Sequence, residues 1–197
     1  KFYSEKLIRL PGGFLSFQGD IKASASQALP AIEKGYVTFG SFNNLTKVTH
    51  QVIQTWSTIL NAVPDARLIL KSGHLDSREA QERVHKLFKE QGVSPQRVQL
   101  FGKIESSVEH LHLYKQIDIG LDPFPYHGTT TSCEALWMGI PFVTLSGETH
   151  ASRVGTSLLT RVGLQAFIAH NEEQYVQTAI HFATHLEETQ KIRLSLR

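Results

Sequence analysis

Cysteine is almost missing from this sequence: Cys133 stands alone. A single thiol forms no internal disulfide and lacks the spaced partners of a zinc site, which fits a reducing compartment and makes the cytoplasm the expected location. An excess of charge of one sign is missing too. Lysine and arginine number 20 against 18 aspartates and glutamates, a formal net charge of +2. That is too little to call for a nucleic acid or an anionic membrane, so any anion site must be local. No stretch approaches the roughly 18 consecutive apolar residues of a transmembrane helix, and no charged-then-apolar signal segment opens the chain. Also lacking are a Ser/His/Asp order, a nucleophile elbow, a Walker loop and a Gly-x-Gly-x-x-Gly run. A hydrolase, a P-loop kinase and an ordinary dehydrogenase are left without support.

What is present is globular composition over 197 residues, 41% hydrophobic and 19% charged. That disfavours disorder, collagen-like repeats and disulfide-stapled mini-folds, and the length suits one large α/β domain or a domain plus part of a neighbour. The chain opens at Lys1 and residues 1–11 read as mid-chain sequence, so an excised fragment is expected. Residues 10–34 are rich in Gly, Pro, Ser and Ala without sustained period. Residues 1–34 therefore read as a linker or the end of a preceding domain, and residues 35–197 as the domain proper, with its last crossing helix cut short.

Short apolar bursts bounded by turn residues predict buried strands over 36–42, 66–70, 98–101, 117–121, 141–145 and 167–169. Between them lie segments of helical period. Ile53, Trp56, Ile59, Leu60 and Val63 recur at offsets of three and four and are followed by Pro64. A capping box at Asp76 to Glu79 is expected to start a second helix, which stops at Gly92. Ser106 and Asn171 open two more. Alternating strands and helices with short connections predict a doubly wound, Rossmann-like α/β domain: a parallel sheet covered on both faces. In such sheets ligands bind at the carboxyl ends of the strands, so the loops after Phe42, Phe101, Leu121 and Leu145 are where function is sought.

The most informative loop runs from Asp122 to Pro141 and opens a helix. Gly128 permits tight backbone geometry, and Thr129, Thr130 and Thr131 offer hydroxyls beside the unpaired N–H groups of a first turn. A phosphate there is stabilised by dipole and hydrogen bonds together. One threonine would suffice as a cap, and three exceed that need. Glu134 is expected in the first turn of the same helix, either as a carboxylate favouring the dipole or as an acceptor for a ribose diol. Residues 40–47 supply Asn43, Asn44 and Lys47, with Lys47 the obvious phosphate countercharge. His110 and His112 sit two apart and share no helix face, and no carboxylate or cysteine completes a metal set. His110 is either a partly buried, satisfied histidine or a neighbour of a ligand ring. His150 and Arg153 follow another strand, where Arg153 pairs with an acidic neighbour or an anion.

Six segments together resemble the C-terminal half of the catalytic region of protein O-linked N-acetylglucosamine transferases: residues 3–11, 39–47, 109–114, 128–131, 134–141 and 150–155. The resemblance spans nearly the whole chain. It implies a GT-B fold of two Rossmann-like domains, of which this chain is the one holding the nucleotide sugar, with tetratricopeptide repeats upstream. It implies UDP-N-acetylglucosamine as donor, a protein Ser/Thr hydroxyl as acceptor through the full-length parent, and no metal, nucleic acid or membrane. Carried over residue by residue, Lys47 contacts the diphosphate and supports the departing charge, with Asn44 beside it. Thr130 and Thr131 hold phosphate oxygens beside Thr129, Glu134 holds the ribose, and His110 lies near the nucleoside. The family's general base is expected in the other half, so the chain alone is expected to be inactive.

The animal enzymes' pattern has Gln at the position of Asn44, His at Thr129 and Asp at Glu134. Protein O-fucosyltransferases using GDP-fucose also carry a Thr-rich turn followed by Glu. The alternatives are therefore a GDP-fucose enzyme, a glycosyltransferase acting on a small molecule or polysaccharide, and a non-catalytic binding or scaffold module.

Overall fold

The computed structural model describes residues 4–6, 8, 11–25 and 28–196. Tyr3, Leu7, Arg9 and Leu10 of the opening motif lie outside the described residues, as do Ser26, Gln27 and Arg197. In chain order the elements are α1 (Pro30–Lys34), β1 (Thr38–Ser41), α2 (His50–Ala62), β2 (Arg67–Lys71), α3 (Arg78–Glu90), β3 (Val98–Phe101) and α4 (Ser107–Leu113). They continue as β4 (Ile119–Leu121), α5 (Thr130–Trp137), β5 (Phe142–Leu145), α6 (Val154–Arg161), β6 (Ile168–Ala169), α7 (Glu172–Thr184) and α8 (Leu186–Ser195).

The strands form one sheet in the order β3-β2-β1-β4-β5-β6, every pairing parallel. This is the doubly wound Rossmann-like α/β sheet the alternation predicts. The six expected strands are all present: four are trimmed at one or both ends, β3 has the expected bounds, and β2 is shifted by one residue to end at Lys71. Strand order runs one way from β1 to β3 and the other way from β4 to β6. With right-handed crossovers the connecting helices then cover opposite faces. Accordingly α2 packs with α3 and α7, while α5 packs with α6. The direction changes between β1 and β4, and that switch point is where such sheets open a crevice. Every residue of β1 and β4 is buried, as strands covered on both faces must be.

The apolar stripe of α2 is the core's largest contribution: Val52, Ile53, Trp56, Ile59 and Leu60 are all buried. The Trp56 indole N–H donates to the Tyr175 hydroxyl at 3.1 Å, and that hydroxyl donates to the Asp122 carbonyl at 3.0 Å. A helix on one face is thereby tied to the loop leaving β4. Two local expectations are met at the caps. Ser106 accepts from the Glu109 N–H at 3.3 Å, and Asn171 from the Gln174 N–H at 2.8 Å. One is corrected: the cap of α3 is Ser77, which accepts from the Ala80 N–H at 3.4 Å, whereas Asp76 accepts from the Lys103 N–H at 2.8 Å. Asp76 is better used where it joins two loops at the carboxyl edge.

Residues 11–25 lie along the domain. Trp137 Nε1 donates to the Asp20 carbonyl at 3.1 Å, Arg161 to the Pro11 carbonyl at 2.8 Å, and Lys115 to the Ser24 hydroxyl at 2.9 Å. Among the described residues no helix is long and apolar enough to cross a membrane.

Candidate functional site

The loops leaving β1 and β4 meet at the switch point. Residues 45–47 form a short 3₁₀ turn whose entry is fixed by Asn44: its Oδ1 accepts from the Thr46 N–H at 3.0 Å and from the Thr46 hydroxyl at 2.9 Å. That turn carries Lys47 across the crevice. Its ammonium donates to the His127 carbonyl at 2.8 Å and stands 4.2 Å from the centre of the Tyr126 ring. Burial lowers its pKa, against the pull of Asp122, so an added anion here would be welcome to the charged form.

Two residues beyond His127 the chain enters α5. Thr129 stands at the N-cap but makes no side-chain cap hydrogen bond. Among the described residues the Thr129 and Thr130 hydroxyls have no protein partner, so the threonines are not used as caps. The Thr131 hydroxyl donates to Asn43 Oδ1 at 2.9 Å. Gly128 is required by proximity: a Cβ there would lie 2.4 Å from Ser132 Oγ and 2.7 Å from both Asn43 Oδ1 and Thr131 Oγ1. A side chain at this position would fill the cradle at the head of α5.

The loop is held from beneath by a buried polar group. Asp122 is 2% exposed, accepting from the Gly128 N–H at 2.7 Å through one oxygen and from the Thr144 hydroxyl at 2.8 Å through the other. Burial pushes its carboxyl above the usual carboxylate range, opposed by His127 and these hydrogen bonds. His127 is wholly buried. The Gly155 N–H donates to its Nδ1 at 3.1 Å, so the ring proton sits on Nε2, 2.8 Å from the Leu145 carbonyl. These bonds fix the carbonyl that receives Lys47.

Glu134 is not in the first turn. α5 begins at Thr130, which puts Glu134 one turn inside, beyond the region where the dipole acts. There its Oε2 accepts from His110 Nε2 at 3.0 Å and lies 3.4 Å from the Tyr114 hydroxyl, which also donates to the Thr131 carbonyl at 3.1 Å. Burial and Glu134 together raise the Tyr114 phenol well above its usual pKa. His110 and Tyr114 pack against Phe42, with ring centres 5.8 and 4.3 Å from it.

Of the residues singled out from sequence, Lys47, Thr129, Thr130, Thr131, Glu134 and His110 converge. Asn44 is exposed, its Oδ1 occupied by Thr46, and it lines the open crevice beside Asn43 and Lys71, whereas Asn43 is the amide facing α5. Asn43 was named only as one of two amides in its loop, and Tyr114 and His127 were missed. Two adjacent amides leaving a strand carry a signal, but not which one points inward. His127 and Tyr114 follow no spacing that marks them. Arg153 is exposed and forms no ion pair among the described residues, and His150 lies edge-on to Phe14 with ring centres 4.7 Å apart.

Comparison with known proteins shows the family. Residues 20–197 match the family described as "Glycosyl transferase family 41". Over 193 residues the chain is 44% identical to a tomato (Solanum lycopersicum) protein named "Probable UDP-N-acetylglucosamine--peptide N-acetylglucosaminyltransferase SPINDLY", covering 98% of this chain and 21% of that one. A Caenorhabditis elegans protein named "UDP-N-acetylglucosamine--peptide N-acetylglucosaminyltransferase" is 30% identical over 158 residues, 80% of this chain and 13% of its own length. Among solved structures, a mutant of the Thermobaculum terrenum O-GlcNAc transferase superposes with a TM-score of 0.81 at 37% identity, covering 83% of this chain and 31% of that one. The chain thus spans 21% and 13% of the lengths of these two curated relatives.

Proposed function

This chain belongs to glycosyl transferase family 41, and from that premise we propose that it is the donor-binding domain of a protein O-glycosyltransferase. The reaction moves N-acetylglucosamine from UDP-N-acetylglucosamine to serine and threonine hydroxyls of proteins. In this reading residues 35–197 hold the donor, and residues 1–34 link them to the other half of a GT-B enzyme with tetratricopeptide repeats upstream.

The observation that supports this above all is the meeting of Lys47 with the head of α5. Its ammonium is held by one carbonyl, that of His127, 2.8 Å away and just upstream of unpartnered Thr129 and Thr130 hydroxyls. A diphosphate at the α5 N-terminus receives backbone N–H groups, these hydroxyls and the helix dipole, and Lys47 turns from the carbonyl to a phosphate oxygen. As the acceptor hydroxyl attacks the anomeric carbon, the bond from that carbon to the diphosphate oxygen breaks. The negative charge then grows on the diphosphate, where Lys47 and the dipole stabilise it in place of a divalent cation. The hydroxyl proton goes to a base outside this chain. Glu134, held by His110 and Tyr114 through one oxygen, keeps the other for the ribose diol. No cofactor beyond the nucleotide sugar enters. The single cysteine, buried and free, fits the reducing cytoplasm.

Calorimetric titration with UDP and GDP tests the site. UDP is expected to bind, to bind equally with and without EDTA, and to lose measurable affinity in Lys47→Ala. A folded sample that binds neither nucleotide would sink the reading.

A further inference from the structure

We propose that Lys71 reads the nucleobase of the donor, selecting a base that presents a carbonyl oxygen over one that presents an amino group. This rests on the donor-site reading above and adds a residue that reading does not use. Lys71 closes β2 at its carboxyl end and is half-buried. With Phe42, Asn43, Ser72 and His74 it lines a cavity of about 480 Å³. Among the described residues its ammonium has no hydrogen bond and no ion pair. Two carboxylates attract it without pairing: Glu134, already held by His110 and Tyr114, and Asp76, already accepting from the Lys103 N–H. Burial lowers its pKa, as expected of a cation aimed into a crevice with no acceptor of its own.

Position supplies the rest of the argument. β2 lies two places from β4 in the sheet, with β1 between them. That is about 10 Å at the usual spacing of strands. A nucleotide anchored by its phosphates at the head of α5, and by its ribose at Glu134, extends its base toward β2 and the cavity that Lys71 lines. An ammonium group only donates hydrogen bonds. Uracil O4 and guanine O6 accept them, whereas the amino groups at the matching positions of cytosine and adenine donate and leave the lysine unpaired. Lys71 therefore suits either uridine or guanosine diphosphate and rejects the other two.

The test is calorimetric titration of the full chain with UDP, CDP, GDP and ADP at constant salt. UDP and CDP carry the same charge, sugar and phosphates, so their ratio isolates the base edge, and the general loss of one positive charge does not move it. UDP and GDP should bind about 10-fold tighter than CDP and ADP. Lys71→Met should bring each ratio to within about twofold while inorganic pyrophosphate affinity changes by less than about threefold. Lys71→Arg keeps a donor and should keep the preference. If Lys71→Met fails to fold by circular dichroism, Lys71→Ala replaces it. Unchanged ratios in the variant overturn the inference, as does equal binding of all four nucleotides by the wild type. Equal binding that is still lost in Lys47→Ala leaves the donor site standing. Binding of none removes both.

Discussion

Asp118 and Asp122 flank the same three-residue strand, β4, and differ in what the fold does with them. Both are buried, and burial pushes both carboxyls above the usual range. At the amino end, Asp118 accepts from two backbone N–H groups, Ala31 at 2.9 Å and Thr38 at 2.7 Å. The cation beside it, Arg193, donates to the Ile117 and Asp118 carbonyls, each at 2.9 Å, and to Ala28 at 3.2 Å. Burial pulls that guanidinium down to about 10, and it is 2% exposed. At the carboxyl end, Asp122 braces a loop, the Lys47 ammonium donates to one carbonyl, and Lys71 at the end of β2 has no hydrogen bond or ion pair among the described residues. Charges with several fixed backbone partners join chain segments. Charges left with one exchangeable partner, in a crevice, are available to a ligand.

Exchanging the two cations' fates is the sharpest way to break this contrast. On the donor-site proposal, Lys47→Ala should cost about 10²–10³ in sugar transfer. Chemical denaturation should show it within about 0.5 kcal/mol of wild type. Arg193→Met should do the reverse, destabilising the domain by about 3 kcal/mol while leaving UDP affinity unchanged in the folded fraction. A loss of nucleotide binding in Arg193→Met, or of stability in Lys47→Ala, would erase the distinction.

Smaller effects separate the aspartates themselves. Asp118→Asn turns an acceptor pair into one acceptor and one donor facing two N–H groups, so about 1–3 kcal/mol should be lost. Asp122→Asn keeps an acceptor for Gly128 and gives the Thr144 hydroxyl a donor, so about 1 kcal/mol or less is expected. Equal losses in the two variants would contradict the account of their partners. The weakest signal is in pH. A carboxyl whose folded pKa is raised holds its proton more tightly in the native state than in the unfolded chain. Stability should therefore fall as pH rises from about 4 through the raised values, and level off above them. Denaturation midpoints across that window should show a shallower slope in Asp122→Asn.

Much of this fold was legible before any coordinates. The strands, the α2 stripe ending at Pro64 and the Ser106 and Asn171 caps are local matters of period and hydrogen bonding. So is the loop-then-helix at Gly128 to Thr131. Asp76 misled because two capping signals overlap, and the tertiary need for Asp76 at Lys103 decided between them. Glu134 was displaced beyond the first turn because the helix already begins at Thr130, four residues ahead of it, and helix boundaries are the least certain part of any such reading. Which of Asn43 and Asn44 faces α5 turned on the direction of one side chain.

By itself the sequence determined a parallel α/β domain, the family it belongs to, a loop that carries a lysine, and a threonine-headed helix. Each of these is written in local pattern or in residue type. Only the tertiary structure decided that Lys47 crosses to the His127 carbonyl, that Tyr114 and His110 share one oxygen of Glu134, and that Lys71 has no partner among the described residues. Those facts depend on strands distant in sequence being neighbours in the sheet, and on which buried groups find partners once the core has closed.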